Sequence, residues 1–251
     1  MNFKTLWVCF GLLVLASCKT PIAYDKIEGK QIAITDTLQT DQNIEAFIKP
    51  YREHVNNDMK KVLSYAVGTY SKSDGELNTA IGNFMADAMY EQSNPIFKKR
   101  TGKDVDFVLL NHGGIRAIIS KGNITTRTAF EVMPFENSVV VTKLKGEQVK
   151  ELLDYLVEAK RAHPISKLKI VLDSDGNLKD ATIKGQPIDY NKSYFVLTND
   201  YLLNGGDRMD FFKKRDTVYV LDYKIRNALI DYFTKTDTIN PVIDDRFIQL
   251  K

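Results

Sequence analysis

Val105-Asp106-Phe107-Val108-Leu109-Leu110-Asn111-His112-Gly113-Gly114-Ile115-Arg116 is an apolar, β-rich run that ends in a glycine pair set among polar side chains. The run to Leu110 reads as a buried strand. Paired glycines at its end permit positive φ or a close approach of a ligand to the backbone. Asn111 offers an amide donor and acceptor together, and Arg116 a planar fork of permanent charge. Such groups suit a heterocycle or sugar hydroxyl and a phosphate or carboxylate; a tight turn with a surface arginine gives the same letters. A second loop, Asn204-Gly205-Gly206-Asp207, follows the β-rich run Tyr194 to Thr198 and the segment Asn199-Asp200-Tyr201-Leu202-Leu203. Asp207 reads as an acceptor for ribose hydroxyls or as a turn aspartate. Neither loop fits a Walker or Rossmann phosphate cradle. Together they read as two halves of one ligand pocket.

The rest of the chain fills in around them. Ile44, Phe47, Ile48, Tyr51, Val55 and Val62 recur at helical spacing, and Tyr70 to Glu76 is a turn-rich break. Asn78 or Thr79 can cap a helix with Ile81, Phe84, Met85, Ala88 and Met89 on one face. Ser138 to Leu144 reads as a strand, and Gly146 precedes a helix carrying Val149, Leu152, Leu153, Leu156 and Val157 in phase. Leu168 to Leu172 and Leu178 to Ile183 flank Asp175-Gly176-Asn177, a hairpin signal. Thr217 to Leu221 reads as a strand and Ile225 to Phe233 as a helix. Strands, helices and hairpins in this order predict an α+β fold, a mixed sheet with packed helices, rather than a doubly wound parallel sheet.

Composition bounds the function. With 43% hydrophobic and 27% charged residues the chain has ample material for a core. A formal net charge of +3, with basic residues dispersed, gives no stripe for nucleic acid. The three histidines, His54, His112 and His163, lack metal-ligand spacing. His112 reads as a loop histidine, and no metal site or catalytic residue is expected in this chain.

The first residues read as an export signal. Lys4 precedes the apolar stretch Leu6 to Ala16, which is short for a membrane span. Leu15-Ala16-Ser17-Cys18 resembles a bacterial lipobox, in which the cysteine takes the lipid; an ordinary secretory signal containing a cysteine is the alternative. On the lipobox reading residues 1–17 are removed, and Cys18 is the one cysteine left, so no disulfide forms within the mature chain. Residues 18–41 are then a polar tether, and 42–251 the folded domain. The chain is expected in the bacterial cell envelope, held by lipid to a membrane at the periplasmic face or the cell surface.

Taken in order, Ile81-Gly82-Asn83-Phe84-Met85-Ala86-Asp87-Ala88-Met89, Asn111 to Arg116, Met133-Pro134-Phe135-Glu136-Asn137 with Val139 and Val140, Gly146, and Asn199 to Asp207 resemble the C-terminal domain of the 5'-nucleotidases. The resemblance covers about Gly68 to Phe212. In that family this domain recognises the nucleotide, and a separate N-terminal metallophosphatase domain binds two metal ions and cleaves phosphate. The resemblance implies that Asn111 and Asp207 contact the nucleoside and Arg116 the phosphate side, with Gly113, Gly114, Gly205 and Gly206 shaping the loops. Phe135 and Tyr201 take the aromatic positions that sandwich the base; core packing is the other reading of Phe135.

Three departures stand out. Glu76-Leu77-Asn78-Thr79-Ala80 lacks an arginine common before the opening Gly-Asn, Ser-Gly before a strand becomes Ser166-Lys167, and Gly-Asp-Gly becomes Gly206-Asp207-Arg208. The phosphatase motifs Asp-x-His, Gly-Asn-His-Asp/Glu and Gly-His-x-His do not occur. The expected function is therefore the nucleotide- or nucleoside-recognising part of a 5'-nucleotidase-type hydrolase in nucleotide catabolism. Its partner would be a separately encoded metallophosphatase chain that holds the divalent metals. The alternatives are a non-catalytic nucleoside- or nucleotide-binding lipoprotein and a hydrolase with an acidic metal site around Asp200, Asp207 and Asp210.

Overall fold

A computed structural model describes residues 26–251; Cys18 and the expected signal segment lie outside them. The described chain divides into residues up to Ile48 and the unit Lys49–Lys251. Lys26 to Asp41 is exposed and carries no helix or strand. The expected helix follows as α1 (Gln42–Met59), its first turn held where the Asp41 carboxylate accepts from the Asn43 and Ile44 amides. None of its residues is buried. Val62 does not continue it but opens β1 (Val62–Ala66), because the helix stops at Met59.

The larger unit is built on a five-stranded sheet in the order β10-β4-β9-β2-β5, where β2 is Phe107–Leu109, β4 Ser138–Lys145, β5 Ile165–Ser166, β9 Ser193–Asn199 and β10 Thr217–Lys224. Strand β9 pairs antiparallel with β4 and parallel with β2. Alternate residues of a strand face opposite sides, and both sides here are covered. Val108, Val139, Val141 and Leu197 join one core with α2 (Ala80–Thr101) and α6 (Ile225–Lys235); Phe107, Leu109, Leu144 and Val196 join a second with α4 (Gly146–Ala159). Burial on both faces explains why these strands read as continuous apolar runs.

Two smaller sheets complete the unit. One has the order β11-β1-β3, with β3 at Gly122–Thr125 leading into α3 (Thr126–Val132) and β11 at Thr238–Ile239. The other, β12-β6-β7-β8, contains the expected hairpin of β6 (Leu168–Leu172) and β7 (Leu178–Ile183), with β8 (Gln186–Pro187) and β12 (Phe247–Gln249) beside it. The α+β class is as expected, and each of these three sheets contains both parallel and antiparallel strand pairs.

Thr79 caps α2, its Oγ1 accepting from the Gly82 amide. The Gly82-Asn83 pair behind it is structural. Asn83 Nδ2 donates to Asn78 Oδ1 (2.8 Å) and to the Val242 carbonyl (3.0 Å), while Asn78 Nδ2 donates to the carbonyls of Asp244 and Phe247. Arg246 reaches back to the Asp87 and Asp244 carboxylates. These contacts fasten the C-terminal segment to the start of α2.

The topology decides where the loops meet. Because β2 and β9 are parallel neighbours, their C-terminal ends open on the same edge. Strand β4 runs the opposite way, with Val139 opposite Asn199, so the residues before β4 arrive at that edge too. Carboxyl ends of parallel strands are where ligand crevices form in such sheets.

Candidate functional site

Three loops close around a cavity of about 320 Å³ at this edge. Its lining comprises Asn111, Gly113, Gly114 and Arg116 from the loop after β2; Met133, Phe135 and Asn137 from the approach to β4; and Tyr201 and Asp207 from beyond β9. Of the residues expected there, Gly205 and Gly206 do not line it. Met133 and Asn137 do, although the sequence marked them only as flanks of Phe135.

Phe135 is 42% exposed and Tyr201 46%. Each therefore presents ring surface to the cleft, and the core reading of Phe135 is set aside. Tyr201 is the second residue of the short helix α5 (Asp200–Leu203), capped by Asn199, whose Oδ1 accepts from the Leu202 amide. Its ring is fixed at the hydroxyl, which donates to Asp207 Oδ1 (2.9 Å) and accepts from the Asp207 amide (3.2 Å). That bond to a carboxylate holds the Tyr201 phenol above its ordinary pKa.

The glycines now have definite reasons. Gly205 takes φ +86°, a conformation that side chains rarely adopt. A Cβ on Gly206 would lie 2.5–2.6 Å from the Tyr201 ring, so only glycine lets that ring lie over the backbone. Asp207 and Arg208 also take positive φ, 53° and 62°. Asp207 is supported by its Tyr201 bonds; Arg208, where the resemblance predicts a glycine, takes this left-handed backbone with a side chain in place.

Asn111 is oriented by its neighbour. Asn199 Nδ2 donates to Asn111 Oδ1 (3.1 Å), which leaves Asn111 Nδ2 as the donor near the cavity. Arg116 lies with its guanidinium carbon 5.8 Å from the Phe135 ring centroid, and its Nη1 makes a long 3.5 Å approach to the Gly113 carbonyl. An outward amide donor, a carboxylate acceptor and a cation thus ring a cleft with two aromatic walls.

Beneath the loops lies a histidine that the sequence left unassigned. His163 is 3% exposed, and its Nδ1 accepts from the His112 amide (3.3 Å). His112 Nδ1 in turn lies 3.1 Å from the Ala162 carbonyl, so its ring is a fastening within the loop. Burial lowers the pKa of both rings, that of His163 to about 4. Tyr155 packs on His163 and donates its hydroxyl to the Asp207 carbonyl (2.9 Å). The buried His163 and the partly buried Tyr155 thereby touch both glycine loops.

Metal ligation is a poor fit. Among the described residues no three His, Cys, Asp or Glu side chains converge as a metal site requires. Asp207 is engaged by Tyr201 and Asp210 by Lys213 (2.7 Å). The acidic site around Asp200, Asp207 and Asp210 is therefore not formed. A larger cavity of about 460 Å³ lies elsewhere, between α2 and β6. Its size does not make it the site: Arg246 is engaged by Asp87 and Asp244 and Lys169 by Asp245, and its one aromatic lining residue is Tyr90, so no ring pair flanks it.

The model of the 5'-nucleotidase C-terminal domain matches residues 59–214. The chain belongs to that family. It is 30% identical over 178 residues to cell wall protein Lmo0130 of Listeria monocytogenes, covering 65% of this chain and 22% of that protein. It is 26% identical to protein UshA of Escherichia coli, covering 78% of this chain and 35% of UshA. It therefore spans about a third or less of these two relatives. Among solved structures, the 5'-nucleotidase precursor of Thermus thermophilus superposes with a TM-score of 0.69 at 24% identity, over 82% of this chain and 43% of that one. That likeness shows the same fold.

Proposed function

We propose that this chain binds nucleosides and nucleotides as the recognition component of a 5'-nucleotidase-type hydrolysis, with a metallophosphatase chain supplying the two-metal chemistry. One observation carries the reading: Phe135 and Tyr201 stand half-exposed in a single cavity with Asn111, Asp207 and Arg116 on its lining. Aromatic faces grip any base, at about 1–3 kcal/mol per stacked base. Asp207, whose Oδ1 already accepts from Tyr201, has a second oxygen to accept from ribose hydroxyls, and Asn111 Nδ2 donates to an acceptor on the nucleoside. Arg116 gives a phosphate two parallel donors. The chain's own residues thus bind and orient; the metals, when bound in the partner, would activate the attacking water and stabilise charge on the phosphoryl group as the nucleoside oxygen leaves.

Calorimetry with a nucleoside and its monophosphate tests this. Phe135→Ala and Tyr201→Ala should each weaken both ligands, whereas Arg116→Ala should weaken mainly the monophosphate. No binding of either ligand by the unaltered protein would defeat the reading. Turnover should appear only when a cognate metallophosphatase chain is added; binding with no such partner able to restore turnover would favour a non-catalytic capture protein.

The same proposal puts the chain in the cell envelope, anchored through Cys18. The lipobox-like Leu15-Ala16-Ser17-Cys18 supports it. Several acyl chains together anchor stably, at about 0.8 kcal/mol per buried methylene. Among the described residues no helix is long and apolar enough to cross a membrane. Cys18→Ala should abolish incorporation of labelled fatty acid.

A further inference from the structure

Phe135 sits in a stretch, Met133 to Asn137, that belongs to no helix or strand. Its backbone is nonetheless held at four successive carbonyls, all by Lys224, Ile225 and Arg226, where β10 turns into α6. Arg226 Nη1 donates to the carbonyls of Pro134 (3.2 Å) and Phe135 (3.4 Å). Lys224 Nζ donates to the Glu136 carbonyl (2.7 Å), and the Ile225 amide to that of Asn137 (3.0 Å). Arg226 Nη2 also pairs with the Glu136 carboxylate, and the guanidinium lies over the Phe130 ring, 4.1 Å from its centroid. The Arg226 side chain is only 8% exposed.

A buried guanidinium is costly unless its donors are satisfied. Here Nε has no partner, so the group is kept with one donor unused. A surface ion pair to Glu136 would not need such burial. What the burial does provide is a rigid planar guanidinium whose Nη1 faces two adjacent carbonyls while its Nη2 holds the Glu136 carboxylate, the plane being fixed by the Phe130 ring. Phe135 has no comparable support from its own side chain, since its ring is nearly half exposed and its neighbour in the cleft is the Arg116 guanidinium.

We propose that Arg226 is a positioning residue for the aromatic wall of the cleft: by fixing the Pro134 and Phe135 carbonyls it sets where the Phe135 ring stands. Arg226 lies beyond residues 59–214, the part the family model matches. The inference rests on the nucleoside-cleft reading for its effect on binding, but not for its effect on the loop.

The test uses Arg226→Lys, which keeps the charge and loses the fork, and Glu136→Gln as a milder change at an exposed partner. Binding of a nucleoside and its monophosphate is measured by calorimetry in each variant and in the Phe135→Ala background. Arg226→Lys should weaken both ligands equally, by about tenfold, a fraction of the stacking gain, and leave their affinity ratio unchanged. In the Phe135→Ala background it should have no further effect, because the ring it positions is gone. An equal further loss in that background would assign Arg226 a merely structural role and overturn the proposal.

Hydrogen exchange of the Ile225 amide, which is protected by its bond to the Asn137 carbonyl, followed without ligand, separates the two readings. Faster exchange there in Arg226→Lys, with α4 unaffected, supports the positioning role even if no nucleoside binds. Unchanged exchange defeats it even if binding is tight. Should Arg226→Lys fold poorly, Glu136→Gln should show the same exchange change to a smaller extent, and its absence counts against the proposal.

Discussion

Protonating His163 should destabilise this protein, and by an amount the structure sets. The ring is buried, its Nδ1 already accepts from the His112 amide, and Nε2 has no partner. A proton on Nδ1 would face that amide donor directly. The charged and titratable groups around it are Asp207, which favours the cation, His112 and Arg161, which oppose it, and the Tyr155 ring. Burial outweighs Asp207 and takes the pKa from an ordinary 6.5 to about 4. Between these values the unfolded chain binds one more proton than the folded one, so stability rises with pH. The contribution is complete above the unfolded value and is lost as pH falls towards the folded value. In full it is about 3 kcal/mol, at about 1.4 kcal/mol for each tenfold, and about 2 kcal/mol should already be gone by about pH 5. His112 shifts the same way, so the wild type alone does not isolate His163. His163→Gln keeps an acceptor for the amide without a titrating ring. Urea unfolding of both proteins near pH 8 and near pH 5 should show the wild type losing about 2 kcal/mol more than the variant. Equal losses in the two would refute the account of His163 as a neutral acceptor held by burial.

Gly206→Ala should displace the Tyr201 ring and weaken nucleoside and nucleotide binding by about tenfold or more, within the range of a lost base stack, as calorimetry would show. Arg208→Gly should stabilise the fold by about 0.5–1 kcal/mol in urea unfolding, since the left-handed penalty it removes slightly exceeds the entropy that glycine adds to the unfolded chain. Arg246→Met should cost about 3 kcal/mol by the same measurement: it strips two carboxylates, Asp87 and Asp244, of a cation that is itself only 16% exposed, with part of the loss screened where those carboxylates meet solvent.

What could be read from the sequence was local. The β2 run, the two glycine pairs and the hairpin at Asp175 to Asn177 announce themselves within a dozen residues, because strand burial and positive φ restrict residue choice where they occur. Periodicity in α1 was also legible, but periodicity forecasts a helix and not its burial, and none of its residues is buried. The departures at Lys167 and Arg208 were visible as letters, yet their meaning came from the backbone. Both take positive φ, near 61° and 62°, a conformation that glycine adopts freely and a side chain does not, so the strain sits on these two residues. Neither changes the lining of the cleft.

Long-range placement was the part no local pattern carried. Nothing in Ile225-Arg226-Asn227 distinguishes a surface arginine on a first helical turn from one that reaches a loop 92 residues earlier. Asn83 looked like a mark of resemblance and is in fact a fastening for the C-terminal segment. The two glycine loops were read as halves of one pocket on chemistry alone; the physical reason they meet is the parallel pairing of β2 with β9, Phe107 opposite Val196 and Val108 opposite Leu197. A one-residue slip in that register would send Phe107 and Leu109 to the wrong core, since alternate residues face opposite sides. The apolar alternation that secures the two cores therefore also fixes the distance between Asn111 and Asp207, and with it the cleft.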